Sequence, residues 1–245
     1  MMRAMPVVDP NSSVEREVGR IRALLHERHY TQALQAAEAL RGRVPENRDV
    51  LYLRARAQRL LGATAAALAT LAELEHHHPR FSRLHEERGL CHVVLKQAPQ
   101  AIRALLTAVQ TNPALPASWS MLEGLYRMTG EAANAAAAAA HVATLKTLPP
   151  EVITATGLFS DGELGAAEEL IRAFLLRHGH HVEAMRLLAR IGIEREVLDD
   201  AQLLLEGVLE RQPIYRDGLG QWRHYEPWLE PLRTALTDAL KRYRE

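Results

Sequence analysis

Residues Trp119-Ser120-Met121-Leu122-Glu123-Gly124-Leu125-Tyr126-Arg127-Met128-Thr129-Gly130-Glu131-Ala132-Ala133-Asn134-Ala135 decide the fold. Trp119, Leu122 and Tyr126 stand three and four residues apart, a spacing that lines one face of a helix. Gly130 offers a tight turn. Ala135 then sits in a second helical stretch, where only a small side chain lets two helices approach closely. The stretch reads as two amphipathic helices folded back on one another.

The same pattern recurs outward from it. Ala33, Ala67, Ala101 and Ala135 are each 34 residues apart, Ala167 follows after 32, and Ala201 after another 34. Pro45, Pro79 and Pro113 stand twelve residues past the first three alanines, and Pro213 stands twelve past Ala201. Proline cannot continue a helix, so each closes the second helix of its unit. Thr147 and Gly179 take that place in the other two units. Gly62, Gly130 and Gly162 mark turns between paired helices. One helical pair cannot bury its apolar face alone, so about three or more must stack.

A 34-residue period with this punctuation resembles the tetratricopeptide-repeat (TPR) family, from about Val14 to Pro213. Trp119, Leu122, Tyr126, Gly130 and Ala135 match its signature in the fourth unit. Leu51, Ala55, Gly62 and Ala67 match in the second, Gly89 and Ala101 in the third, and Met185, Leu188, Ala189 and Ala201 in the sixth. The resemblance implies an all-α TPR-type α-solenoid, a right-handed superhelix of helix-turn-helix repeats. The expected organisation is a disordered lead over residues 1–13, about six repeats over 14–213, and a tail over 214–245. The fifth unit is short, and Gly157 weakens its first helix, which suggests a bend or soft joint.

The tail departs from the period. Trp228, Leu232, Leu236, Leu240 and Tyr243 fall on one helical face, as a capping helix requires. The segment from Gln212 to Arg216, with Gly220-Gln221-Trp222-Arg223-His224-Tyr225-Glu226-Pro227, also resembles the C-terminus of bacterial sulfotransferases. Some of those carry an N-terminal TPR array, which implies a relative retaining both ends of such an enzyme without its middle. No strand-loop-helix phosphate cradle appears, and Gly218 to Gly220 lacks both flanks, so it reads as a turn. No sulfate-transfer activity, and no cofactor, is expected of this chain.

Lys plus Arg and Asp plus Glu both number 30, so net charge gives no pull toward nucleic acid or anionic membrane. No apolar run is long enough to span a bilayer. The single cysteine, Cys91, permits no intrachain disulfide, in keeping with a cytoplasmic protein. Cys91 and Ser160 have no paired base at a recognisable spacing, and Cys91 reads as a small core residue. His76, His77, His78, His178, His180 and His181 read as helix-end residues favoured by the dipole rather than as metal ligands.

The TPR resemblance implies ligand contacts along the first helix of each unit. Carried onto this register, the groove holds Arg22 and His26; Tyr52, Arg56 and Arg59; Glu86, Leu90, Val93 and Val94; Ser120, Arg127 and Met128; and Glu183, Arg186, Arg190 and Glu194. Arginine binds carboxylates in a two-pronged geometry, so this groove suits an acidic or C-terminal peptide of a protein partner. The family's Lys and Asn carboxylate clamp is not reproduced. A merely solvated face with scattered ion pairs is the alternative reading.

Overall fold

The computed structural model describes residues 10–197 and residue 202, and these are helical apart from short turns. The helices are α1 (Pro10–His26), α2 (Tyr30–Arg41), α3 (Arg48–Leu60), α4 (Thr64–His77), α5 (Ser82–Val94), α6 (Ala98–Thr111), α7 (Pro116–Thr129), α8 (Ala132–Lys146), α9 (Pro150–Ser160), α10 (Leu164–His178) and α11 (Val182–Glu194). The chain divides into two compact units after residue 177, the first holding α1 through nearly all of α10 and the second holding α11. The tail over 214–245, with the cap and the sulfotransferase-like segment, lies outside the described residues, as do Ala201 and Pro213.

Residues 10–13, expected in an unordered lead, form the start of α1. Pro10 explains this, because its fixed φ suits a first helical position. Proline also occupies a first-turn position in α6, α7 and α9, and the Asn47 side chain caps α3 by accepting from the Val50 amide at 3.1 Å. Gly157 does not interrupt α9, which stays helical to Ser160.

The alanines do what their period implies. Ala33, Ala67, Ala101 and Ala167 are fully buried, and Ala135 is 5% exposed. Gly89 marks the tightest approach: a Cβ there would lie 2.6 Å from Cγ of Leu105, on the facing helix α6. Leu51, Leu53, Leu71, Leu74 and Leu84 fill the space between successive pairs. Leu122, Tyr126, Ala135 and Ala138 do so in the fourth, with Trp119 packed on the edge and stacked over His141 at 3.9 Å.

Every first helix ends in one way. Arg28, Gly62, Lys96, Gly130, Gly162 and Glu196 all have φ between 58° and 82°. The next residue's amide then donates to the carbonyl five back: His29 to Leu24, Ala63 to Gln58, Gln97 to His92, Glu131 to Tyr126, Glu163 to Leu158 and Val197 to Gly192, all at 2.8–2.9 Å. This is a Schellman closure repeated in each unit. Three sites use a side-chain-bearing residue where glycine is at ease. Lys96→Gly is therefore expected to raise stability by about 1 kcal/mol, and Gly62→Ala to lower it by about 1–2 kcal/mol. Urea titrations of the two variants check the opposite signs.

Candidate functional site

α3 presents Arg48, Tyr52 and Arg56 at successive turns of one face. α1 brings Arg22 and His26 beside them, and α5 brings Arg83 and Glu86. Arg22, His26, Tyr52, Leu53, Arg56, Arg83 and Glu86 line a recess of about 400 Å³. Five of these residues were expected in the groove from their register.

Their chemistry differs from one to the next. Arg56 is exposed and forms no salt bridge among the described residues. Arg22 pairs with Asp49 at 2.8 Å. Arg83 lies 4.0 Å from Asp161. Tyr52 is nearly buried, its ring edge-on to Phe81 with centroids 5.5 Å apart. Burial, reinforced by the Glu87 charge, pushes its hydroxyl up to about 12, so it remains a neutral donor. Burial also raises the Glu86 carboxyl, although the Ser118 hydroxyl donates to it at 2.9 Å and works the other way.

Other residues of the expected groove are placed elsewhere. Arg59 turns inward and binds Glu87 through Nε, and that pair is almost out of solvent. Leu90 is half-buried, while Val93 and Val94 are exposed. Arg127, on α7, is paired with Glu123 one turn back, and Met128 beside it is exposed. Arg186, on α11 in the second unit, pairs with Glu183 at 2.8 Å, and Arg190 is exposed on the same helix. Arg48 and Arg83 were missed by the register. Their signal was local: Arg48 is one turn before Tyr52, and Arg83 one turn before Glu86.

A second recess of about 340 Å³ lies among α4, α5 and α6, where Arg88 binds both oxygens of Glu75 at 3.0 and 2.6 Å. Burial lowers His85 there and keeps its ring neutral. Cys91 is fully buried, and its thiol is pushed up to about 11, chiefly by that burial. Among the described residues, no three His, Cys, Asp or Glu side chains converge as a metal site. The His cluster near residue 180 is not purely a helix ending: His181 is the N-cap of α11, its Nδ1 accepting from the Ala184 amide at 3.3 Å. A ring nitrogen can fill that role because it carries a lone pair when unprotonated. No described helix is long and apolar enough to cross a membrane.

Five described helical pairs, recurring every 34 residues and once after 32, each with a buried alanine and a left-handed turn, define an all-α solenoid of the tetratricopeptide-repeat type. Two solved structures agree at the level of fold. PilF of Pseudomonas aeruginosa is 16% identical with a TM-score of 0.51, the match covering 86% of this chain and 98% of that one. A chain of the Naa15/Naa10 assembly bound to HypK-THB is 18% identical with a TM-score of 0.51, over 95% of this chain and 36% of that one. A thermophilic TPR protein of Thermus thermophilus is also similar, 18% identical with a TM-score of 0.41, over 86% of this chain and 97% of that one. No protein-family model and no curated protein matches the chain.

Proposed function

We propose that the chain is a non-enzymatic interaction scaffold that takes a carboxylate-bearing segment of a protein partner along the first helices of its units. The observation that carries this reading is Arg56, an exposed guanidinium with no salt bridge among the described residues, at a recess shared with Arg22, His26 and Arg83. A guanidinium binds a carboxylate through two parallel hydrogen bonds. The surface is held by packed helices, so little ordering entropy is lost when a ligand arrives. The fold neighbours support a scaffold in a general way, since one of them, the Naa15/Naa10 assembly, is bound to HypK-THB. The sulfotransferase kinship rests on residues 212–227, and nothing among the described residues favours it.

Short fluorescein-labelled peptides, acidic or with every acid replaced by its amide, provide the test. Acidic peptides are expected to bind and their amide counterparts not. Arg56→Glu is expected to weaken binding by about tenfold or more, roughly 1.4 kcal/mol or more, with helicity unchanged. Glu86 repels an incoming carboxylate while ionised. Its raised pKa means that it loses that charge earlier than an ordinary glutamate as pH falls, so affinity is expected to rise on mild acidification. Equal binding of both peptide sets, or an Arg56→Glu variant that binds as wild type does, would refute the assignment.

A further inference from the structure

The fifth helical pair brings two carboxylates to the end of the cationic row. Asp161, the C-cap of α9, is 2% exposed at its side chain, and Arg83 Nε lies 4.0 Å from it. Its other oxygen accepts from the Ser82 backbone amide at 2.9 Å. Glu163, two residues on, accepts from Arg48 Nη2 at 2.9 Å. Arg48 and Ser82 are the first residues of α3 and α5. Asp161 therefore meets the N-terminus of α5, whose free amides and dipole favour negative charge, while Glu163 meets a guanidinium carried by the first residue of α3. Gly162 between them, at φ 81°, makes the reversal that carries the chain from one contact to the other.

These contacts join positions 79 and 115 residues apart in sequence. They reach back from the fifth pair to the second and third. Arg48 is one turn from Tyr52 and two from Arg56, and Arg83 lines the recess itself. One end of the row is thus bound by the chain's own acids while the Arg56 end stays open. The bound end holds two carboxylates two residues apart, one on a helix amide and near Arg83, the other on Arg48.

We propose that the Asp161-Gly162-Glu163 turn is a resident competitor for the groove, displaced when a partner segment with an Asp-x-Glu pattern enters. This rests on the acidic-peptide reading above. Seating of the turn lowers the apparent affinity by the fraction of molecules in which the row's end is occupied. A partner with a single carboxylate can still meet Arg56 but does not displace the turn.

A labelled peptide reproducing residues 158–165 is the probe, with an Asn/Gln version of it as control. The double variant Asp161→Asn, Glu163→Gln removes both charges from the turn and so weakens its hold on the row, and it is expected to bind the acidic probe about fivefold or more tighter than wild type. The control peptide is expected to bind neither. If the double variant does not fold, Glu163→Gln alone gives the same comparison. Wild type needs no substitution for a second readout: excess probe should raise deuterium uptake in residues 158–165 while the start of α5 stays protected. Equal affinities, charge-independent binding, or uptake that does not rise overturns the proposal. If the acidic peptide panel still binds through Arg56 in that case, the groove stands and only the competitor falls. If neither probe nor panel binds either protein, both fall.

Discussion

Replacing Glu87 by alanine is expected to lower the unfolding free energy by about 3–5 kcal/mol, the loss seen when one partner of a buried ion pair is removed. The Glu87 side chain is 2% exposed and that of Arg59 is 14% exposed, so little water reaches either. The carboxylate binds Arg59 through Nε, and a second contact to Nη2 spans 3.4 Å. Truncation strands a guanidinium between α3 and α5 with no replacement for its hydrogen bonds. Arg59→Met with Glu87→Leu removes both charges and is expected to recover most of the loss, because two apolar chains of similar volume carry no desolvation cost. Urea unfolding of the two single variants and the double variant measures the coupling. A loss below about 1 kcal/mol for Glu87→Ala would mean that water screens the pair. Arg59 would then be available to a ligand, as its register suggests.

Gly89→Val is expected to cost about 3 kcal/mol. A Cβ at residue 89 would lie 2.6 Å from Cγ and 2.8 Å from Cδ2 of Leu105, and Leu105 is itself fully buried. Glycine in mid-helix normally disfavours a helix by about 1 kcal/mol relative to alanine, so local propensity does not favour Gly89. Close packing on α6 does. Valine adds two further methyl groups and a stiff χ1 to the clash. Leu105→Ala in the same chain opens the space, and the double variant is expected to lose less than the two single losses together. Thermal unfolding of the three variants decides. Strict additivity would show that Gly89 matters for some reason other than Leu105.

The architecture was legible because its signals are local and periodic. The alanines, the prolines and the glycine turns each mark a backbone event within their own unit. The turns at Arg28, Lys96 and Glu196 were not legible, because nothing in a charged side chain announces a positive φ; only the register implies it. For the groove, helical register brought Arg22, His26, Tyr52, Arg56 and Glu86 to one recess. Register says which way a helix faces, not which carboxylate will claim an arginine. Arg59 is taken by Glu87 on the neighbouring first helix, and Arg48 by Glu163 far along the chain. A pairing of the second kind depends on how the fifth unit folds back, which no single unit encodes. The capping role of His181 was hidden for a simpler reason: a histidine beside others reads as part of a cluster, whereas its function is set by the one amide that it faces.

The repeated left-handed turn has a further consequence, for how such a gene can change. Because the backbone leaves each first helix through the same dihedral and the same pair of hydrogen bonds, any two of these turns are interchangeable as joints. Unequal crossing-over between two of them would splice ends of matching geometry, adding or removing whole units without creating a junction that has to find a new fold. The turns are in that sense matched breakpoints for the backbone, while pairings such as Gly89 with Leu105 and Arg59 with Glu87 restrict which units can be joined.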